Sequence, residues 1–386
     1  MGVLIPRIAI GLAGFCAFLN LYAPQALLPS LAHEFGVGAA AISTIMTAST
    51  LAIALTAPFT GAVADVLGRK RVITAAMIAV VVPTTLVGLA ADVHQLVLWR
   101  FTQGLLFPPI FAVTVAYIGD EWPPSQVTSI AGIYTAGSSL GGFSGRFLSG
   151  LLADLFGWRV AFLALAALTL IGAVGIALML PRERKFVPSV GIVSSIVQML
   201  RHLQNPQLVA TYAVGFGVLF NFIATFTYVS FHLAAPPYNF SATLLGAIFV
   251  TYLVGVAAAP TAGRAVGRFG RRKFTLSVIA LWMCGIALTL IPSIALIMLG
   301  LALCAGCGIL CQTVSTGYVT TTAKAGRSSA VGLYVTSFYF GGSVGAFVPG
   351  LAYERGGWPA CVALVAGILT IMALIVMLTW TTPRHV

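Results

Sequence analysis

The sequence predicts an all-α membrane protein, with twelve transmembrane helices in two pseudo-symmetric six-helix bundles. Three observations lead there: extreme apolarity, long uninterrupted apolar runs, and a repeat that maps the second half onto the first. Of 386 residues, 59% are hydrophobic and only 7% charged. A soluble surface of that size needs more charge, so lipid is the solvent for most of it. Within lipid the backbone must satisfy its own hydrogen bonds, which leaves helices or a closed barrel. A barrel would show short alternating segments. Here the runs are long enough for helices, which need roughly 20 mainly apolar residues to cross.

In the first half, spans are expected at Arg7–Ser30, Ala40–Ala64, Val72–Ala91, Gln95–Ile118, Thr128–Leu152 and Trp158–Leu180. The second half is expected to contribute Gln207–Ser230, Thr243–Ala262, Phe274–Ile291, Ser293–Tyr318, Ser328–Leu351 and Trp358–Thr379. The domains are therefore read as residues 1–181, a linker of residues 182–206 and residues 207–386. The linker carries Arg182, Arg184, Lys185, Arg201 and His202 around an apolar stretch, which suits an amphipathic helix lying at the interface.

Net charge is +12, but the basic residues sit in short clusters between apolar runs and not on a nucleic-acid-binding face. With the N-terminus inside, 16 of 20 Lys and Arg fall in cytoplasmic segments, among them Arg69, Lys70, Arg71, Arg271, Arg272, Lys273, Lys324 and Arg384. Only Arg159 and Arg355 fall outside, while Arg100 and Arg146 lie within spans. That bias predicts both termini in the cytoplasm. Arg7 precedes an apolar stretch without a cleavage pattern, so the first span is expected to be retained. All six cysteines lie in apolar runs and do not form a secreted disulfide framework.

A shift of 200 residues lays Gly132–Trp158 on Gly332–Trp358 without a gap, with ten identities in 27 positions. Glycines dominate (Gly141/Gly341, Gly145/Gly345, Gly150/Gly350, Gly157/Gly357), and Asp154 falls on Glu354. At an offset of 202, Gly61, Gly68 and Arg69 fall on Gly263, Gly270 and Arg271. A parallel duplication of this kind places a solute site at the midplane between halves that rock.

Two motifs carry a resemblance. The run from Gly61 through Asp65, Gly68 and Arg69 to Arg71 lies between spans two and three, and Arg100-Phe-Thr-Gln103-Gly104 lies in span four. Both resemble signatures of the major facilitator superfamily, and the resemblance covers essentially the whole chain. It implies a secondary carrier of a small organic solute working by alternating access. It further implies that the first, fourth, seventh and tenth spans line the cavity. Gly61 and Gly68 are expected to permit close helix approach and a tight reversal. Asp65 is expected to meet a helix N-terminus, which by resemblance belongs to span eleven, and Arg69 to pair with Asp120. Together these residues would form a gate on the cytoplasmic side.

Span five departs from the family's drug–proton antiporters. Their pattern places Pro directly after the third glycine and Gly three residues later; here Arg146 and Ser149 stand there. The run 141–146 resembles instead a subgroup of bacterial inner-membrane carriers grouped with exporters of unsettled substrate. Arg100 and Arg146 are the sharpest features of the sequence. A mid-membrane arginine costs at least ~2.5–3.5 kcal/mol by insertion scales and usually faces a cavity or a partner. Their repeat counterparts, Ala302 and Ala346, are apolar, and no acid lies mid-span. Two unpaired guanidiniums lining an electropositive cavity for an amphipathic or anionic solute are therefore expected, the alternative being that each ties down backbone carbonyls.

Other candidate solute contacts are Asn20, Tyr22 and Gln25 beside a kink at Pro24, with Gln103, Asn221, Tyr228 and Gln312. Interhelical hydrogen bonding competes for each. Cys304, Cys307 and Cys311 share a helical face, which is read as close packing and not as a metal site. No nucleotide loop, paired acids or nucleophile–base spacing is visible, so no catalysis and no cofactor are expected. The partners expected are the solute, membrane lipid and protons as coupling ion, with no nucleic acid, the chain acting as a monomer. The location is the inner membrane, the direction efflux by antiport. Proton-coupled uptake of an organic anion, and a sensor or lipid-handling protein on the same scaffold, are the alternatives. Glu34, His33 and His232 are candidate proton carriers, though a solvated loop position is the better reading of each.

Overall fold

The computed structural model describes residues 4–183, 192–323 and 326–380. Part of the expected interfacial linker, with Arg184 and Lys185, lies outside these residues, as do Lys324 and Arg384. In chain order the helices are α1 (Leu4–Leu21), α2 (Leu28–Phe35), α3 (Ala39–Leu67), α4 (Arg69–Gly88), α5 (Val93–Glu121), α6 (Pro124–Phe156) and α7 (Trp158–Met179). Then come α8 (Ile192–His202), α9 (Pro206–Ala234), α10 (Ala242–Ala247), α11 (Tyr252–Ala258), α12 (Ala262–Phe269), α13 (Arg271–Leu288), α14 (Ile294–Thr322) and α15 (Arg327–Thr379).

Among the described residues, nine helical stretches are long and apolar enough to cross a membrane. The remaining spans follow from two details. First, α15 is interrupted at Gly356 and Gly357, whose φ/ψ of −144/16° and 61/−154° are not helical, so it holds spans eleven and twelve. Second, α6 and α13 carry more polar and charged residues but run for 33 and 18 residues. Span eight is assembled from α10, α11 and α12, joined by 3-10 turns at Ile248–Thr251 and Ala259–Thr261.

The duplication is visible in backbone detail. Gly68 and Gly270, related by the offset of 202, have φ of 90° and 79° and begin α4 and α13. Gly157 and Gly357 have φ of 86° and 61°, each just before a buried tryptophan. A side chain at any of these positions would be strained, which is why the repeat keeps glycine there.

The paired glycines of spans five and eleven act differently, through close approach. A Cβ at Gly141 or Gly145 would run into the carbonyls of Phe15 or Leu19 on α1. A Cβ at Gly341 or Gly345 would do the same at Phe216 or Phe220 on α9. Small residues let backbones touch where lipid supplies no hydrophobic drive between helices. Thus each half seals its fifth span onto its first.

The chain divides into two compact units: one of Met1–Val37, Thr44–Ile192 and Leu233–Phe249, the other of Gly38–Ser43, Val193–His232 and Val250–Val386. Each unit takes in a short segment from the other sequence half. In the first unit, Gly150 of α6 lies against the backbone of Ala242, and Asp154 one turn on caps the start of α10. Its carboxylate accepts from the Ala242 N–H at 3.2 Å, the Thr243 N–H at 2.8 Å and the Thr243 hydroxyl at 2.6 Å. In the second unit, Gly350 lies against Ala40, and Glu354 accepts from the Ala40 N–H at 3.0 Å. Ala40 and Ala242 are themselves related by the offset of 202, so the two caps are repeats of one device.

Candidate functional site: a broken first span held by two buried arginines

The first span breaks after Leu21 and continues as a 3-10 turn over Ala23–Ala26. The cause is Pro24. In a continuous helix the Asn20 carbonyl would accept from the N–H of residue 24, and proline has none. Nearby donors turn aside too: the Gln25 N–H goes to the Tyr22 carbonyl at 3.0 Å, and the Leu27 N–H to the Pro24 carbonyl at 2.9 Å. The carbonyls of Asn20 and Leu21 are left without their α-helical donors in a region where water is scarce, while that of Ala23 keeps a place in the 3-10 turn.

Side chains from other helices fill these vacancies. Arg100 of α5, with no exposed surface, donates to the Asn20 carbonyl at 3.0 Å and the Leu21 carbonyl at 2.5 Å. It also donates to the Ser49 hydroxyl at 3.0 Å and the Gln103 side-chain oxygen at 2.6 Å. The Ser149 hydroxyl of α6 donates to the Ala23 carbonyl at 2.8 Å. Arg100 thus ties together α1, α3 and α5, and Gln103 extends the network to Thr84 of α4 at 2.7 Å.

The expectation of an unpaired Arg100 is therefore corrected: four neutral groups surround its guanidinium, because the break in span one presents it with carbonyls. Asn20 and Gln103, expected to line a cavity, are turned into the packing. The Asn20 amide donates to Thr169 of α7 at 2.7 Å and to the Cys16 carbonyl at 2.9 Å.

Arg146 is held otherwise. It is 1% exposed, and its Nε donates to the Gln25 side-chain oxygen at 2.9 Å and one Nη to the Gly142 carbonyl, one turn back, at 2.8 Å. Its guanidinium carbon lies 4.4 Å from the centre of the Tyr22 ring and 4.2 Å from that of Phe249. The cation is therefore stacked with both rings. A Cβ on Gly246 would press on the Arg146 carbonyl, so span eight approaches α6 closely here. Tyr22, Gln25 and Arg146, singled out separately in the sequence, thus meet at one place.

The candidates of the second unit are dispersed. Tyr228 is buried and donates to the carbonyl of Ala346, the repeat counterpart of Arg146. Asn221 is buried, its amide 3.3 Å from the Met372 sulfur. Gln312 is exposed on α14. Cys304, Cys307 and Cys311 are buried free thiols.

At the other end of the first unit, Arg69 forms an ion pair with Asp120 at 2.6 Å and with Asp65 at 3.5 Å. Gly68 makes the reversal at φ 90°. Gly61, expected to permit a close helix approach, is exposed, and a Cβ there would meet nothing within 4 Å; that expectation is corrected. Glu34 is exposed, as a solvated position would be, and accepts from Trp158 at 2.5 Å and from Arg159 at 2.7 Å. Four participants escaped sequence reading: Ser49, Thr84, Ser149 and Phe249. The signal that could have found Ser149 is Pro24, since carbonyls beside a proline break call for buried donors.

Twelve helical spans, a parallel duplication and a first span broken at mid-length define a multi-pass membrane transporter. Residues 10–241 and 216–386 match the Major Facilitator Superfamily, and the chain belongs to that family. It is 31% identical over 369 residues to the inner membrane transport protein YnfM of Escherichia coli (strain K12), covering 95% of this chain and 88% of that protein. It is 28% identical over 338 residues to an uncharacterized transporter of Buchnera aphidicola subsp. Schizaphis graminum, covering 87% and 82%. Among solved structures, the nucleoside transporter NupG (D323A mutant) shares the fold at a TM-score of 0.81 and 16% identity, covering 97% of this chain and 100% of that one.

Proposed function

We propose that this transporter is a secondary carrier, not an enzyme, and exports a small amphipathic or anionic organic solute across the inner membrane by alternating access. Both termini lie in the cytoplasm in this reading, as the distribution of Lys and Arg supports. The observation that carries the solute class is Arg146, a buried cation over the rings of Tyr22 and Phe249 beside the break in span one. A guanidinium is the side chain best suited to a carboxylate or phosphate edge, and one kept in a buried aromatic setting beside a helix break is a candidate to exchange its present acceptors for such a solute. Arg100, by contrast, acts as a strut. Export is supported by the resemblance of residues 141–146. The gate at one end is Asp65, Arg69 and Asp120 around Gly68; at the other it is the pair of carboxylate caps, Asp154 and Glu354. Each cap joins a helix of one sequence half to a helix start in the other, so opening at that end must break both. With Glu34 engaged by Trp158 and Arg159, the acid-bearing solute itself becomes the simplest proton carrier.

The test is a proteoliposome screen of organic acids, cations and neutral solutes under an imposed pH gradient, with Arg146→Ala and Arg146→Lys in parallel. A charge-assisted hydrogen bond of about 1.5–3 kcal/mol predicts a loss of at least about tenfold in kcat/KM for acids with Arg146→Ala. Wild-type rates and an unchanged solute preference in that variant would remove the assignment.

A further inference from the structure

The reversal between α3 and α4 borders a cavity of about 740 Å³ that the carrier reading does not use. Its polar lining is Lys70, Arg71 and Thr74 from α4, with Arg182 and Glu183 beyond α7. The other acids nearby are already engaged: Asp65 and Asp120 both pair with Arg69. Among the described residues, Lys70, Arg71 and Arg182 enter no ion pair. Glu183 faces the start of α4, accepting from the Lys70 N–H at 3.4 Å. Three cations against one acid leave the cavity electropositive. The Thr74 hydroxyl oxygen is buried without a hydrogen-bond partner, a donor available to an incoming oxygen. The lining also includes Leu67 and Ile78, 54% and 49% exposed, an apolar rim that a free ion would leave unused.

We propose that this cavity binds the headgroup of an acidic phospholipid, its phosphodiester among Lys70, Arg71, Arg182 and the Thr74 hydroxyl, and its acyl chains along Leu67 and Ile78. Clustered basic residues at a membrane-proximal pocket have the chemistry for such a headgroup. The site adjoins Gly68 and Arg69, so occupancy would stiffen the α3–α4 reversal in the state that holds the Arg69 pairs. It goes beyond the carrier reading and does not depend on which solute is moved.

The experiment uses the full chain in a neutral detergent and follows its thermal unfolding midpoint during titration with short-chain phosphatidylglycerol. Phosphatidylcholine and inorganic phosphate are titrated in parallel. A saturable rise with phosphatidylglycerol alone is expected. The combined variant Lys70→Gln, Arg71→Gln, Arg182→Gln should need at least about tenfold more of the lipid for half the effect. Glu183→Gln, which removes the opposing charge, should need less than the wild type. Equal response of wild type and combined variant overturns the proposal. So does an equal rise with phosphatidylcholine, which marks non-specific lipid binding, or with inorganic phosphate, which marks a site for a free anion.

Discussion

On the proposed alternating-access reading, removing the carboxylates of Asp154 and Glu354 should ease opening at their end of the carrier by an amount that the two geometries rank. Asp154 accepts from the N–H groups of Ala242 and Thr243 and from the hydroxyls of Thr243 and Ser241 at the start of α10, and Glu354 accepts from the Ala40 N–H at the start of α3. Loss of a helix cap costs about 0.5–2 kcal/mol. Both side chains belong to exposed residues, so the lower part of that range applies. About 1 kcal/mol is assigned to Asp154→Ala and about 0.5 kcal/mol to Glu354→Ala. These convert to about fivefold and about twofold in the closed-to-open ratio, and to about tenfold for the double variant if the sites act independently. The readout is the rate at which a membrane-impermeant thiol reagent reaches a single cysteine placed at buried Leu245, beyond the Asp154 cap, or at buried Ser43, beyond the Glu354 cap. Cys284, the exposed native thiol, is first replaced by serine. Labelling should accelerate by those factors, with Asp154→Asn intermediate because the amide still accepts a hydrogen bond. Unchanged labelling of the double variant would refute the reasoning, as would an effect of Glu354→Ala larger than that of Asp154→Ala.

The same cap predicts a pH response. Burial pushes the Asp154 carboxyl up, but hydrogen bonds from Thr243, Ser241 and Ala242 outweigh this and hold it below the usual carboxylate value. The cap is therefore intact at neutral pH and above, and is lost only as pH falls below the ordinary carboxylate range and through the lowered value. Labelling at Leu245→Cys should accelerate on such acidification, and not in Asp154→Asn. Arg100→Ala should destabilise the protein by at least about 3 kcal/mol, because it strands two carbonyls and a side-chain network; denaturant unfolding of the purified variant measures it. Gly145→Ala should cost about 1–3 kcal/mol by driving a methyl into the Leu19 carbonyl, while Gly61→Ala, facing open space, should be neutral or mildly stabilising. Parallel melts of the two variants check that contrast.

The spans were legible because apolar runs of this length have no soluble interpretation, and the repeat because glycines at fixed spacing leave few alternatives to close packing. The pairing of Arg69 with Asp120 came from resemblance to a motif, and the two groups do lie together. What the sequence hid was the set of partners of Arg100. Its donors meet carbonyls, and a backbone acceptor has no letter in a sequence; only the missing N–H of Pro24 betrays it. The caps were half visible: Asp154 aligned with Glu354, but their targets at Ala242 and Ala40 emerge only when the second offset is combined with the first.

The way Arg100 is held has a consequence for how the protein is made. Its acceptors come from the first and second spans and from its own helix, and Gln103 hands the network on to the third. During synthesis those three spans leave the ribosome before the guanidinium exists, so the open carbonyls of residues 20 and 21 must wait, unsatisfied, for the fourth. Insertion in fixed one-by-one steps into lipid would expose first the broken backbone and then a bare cation. The four segments are better released together, so the ion that looks costliest to insert is also what would make the opening third of the bundle assemble as a single piece.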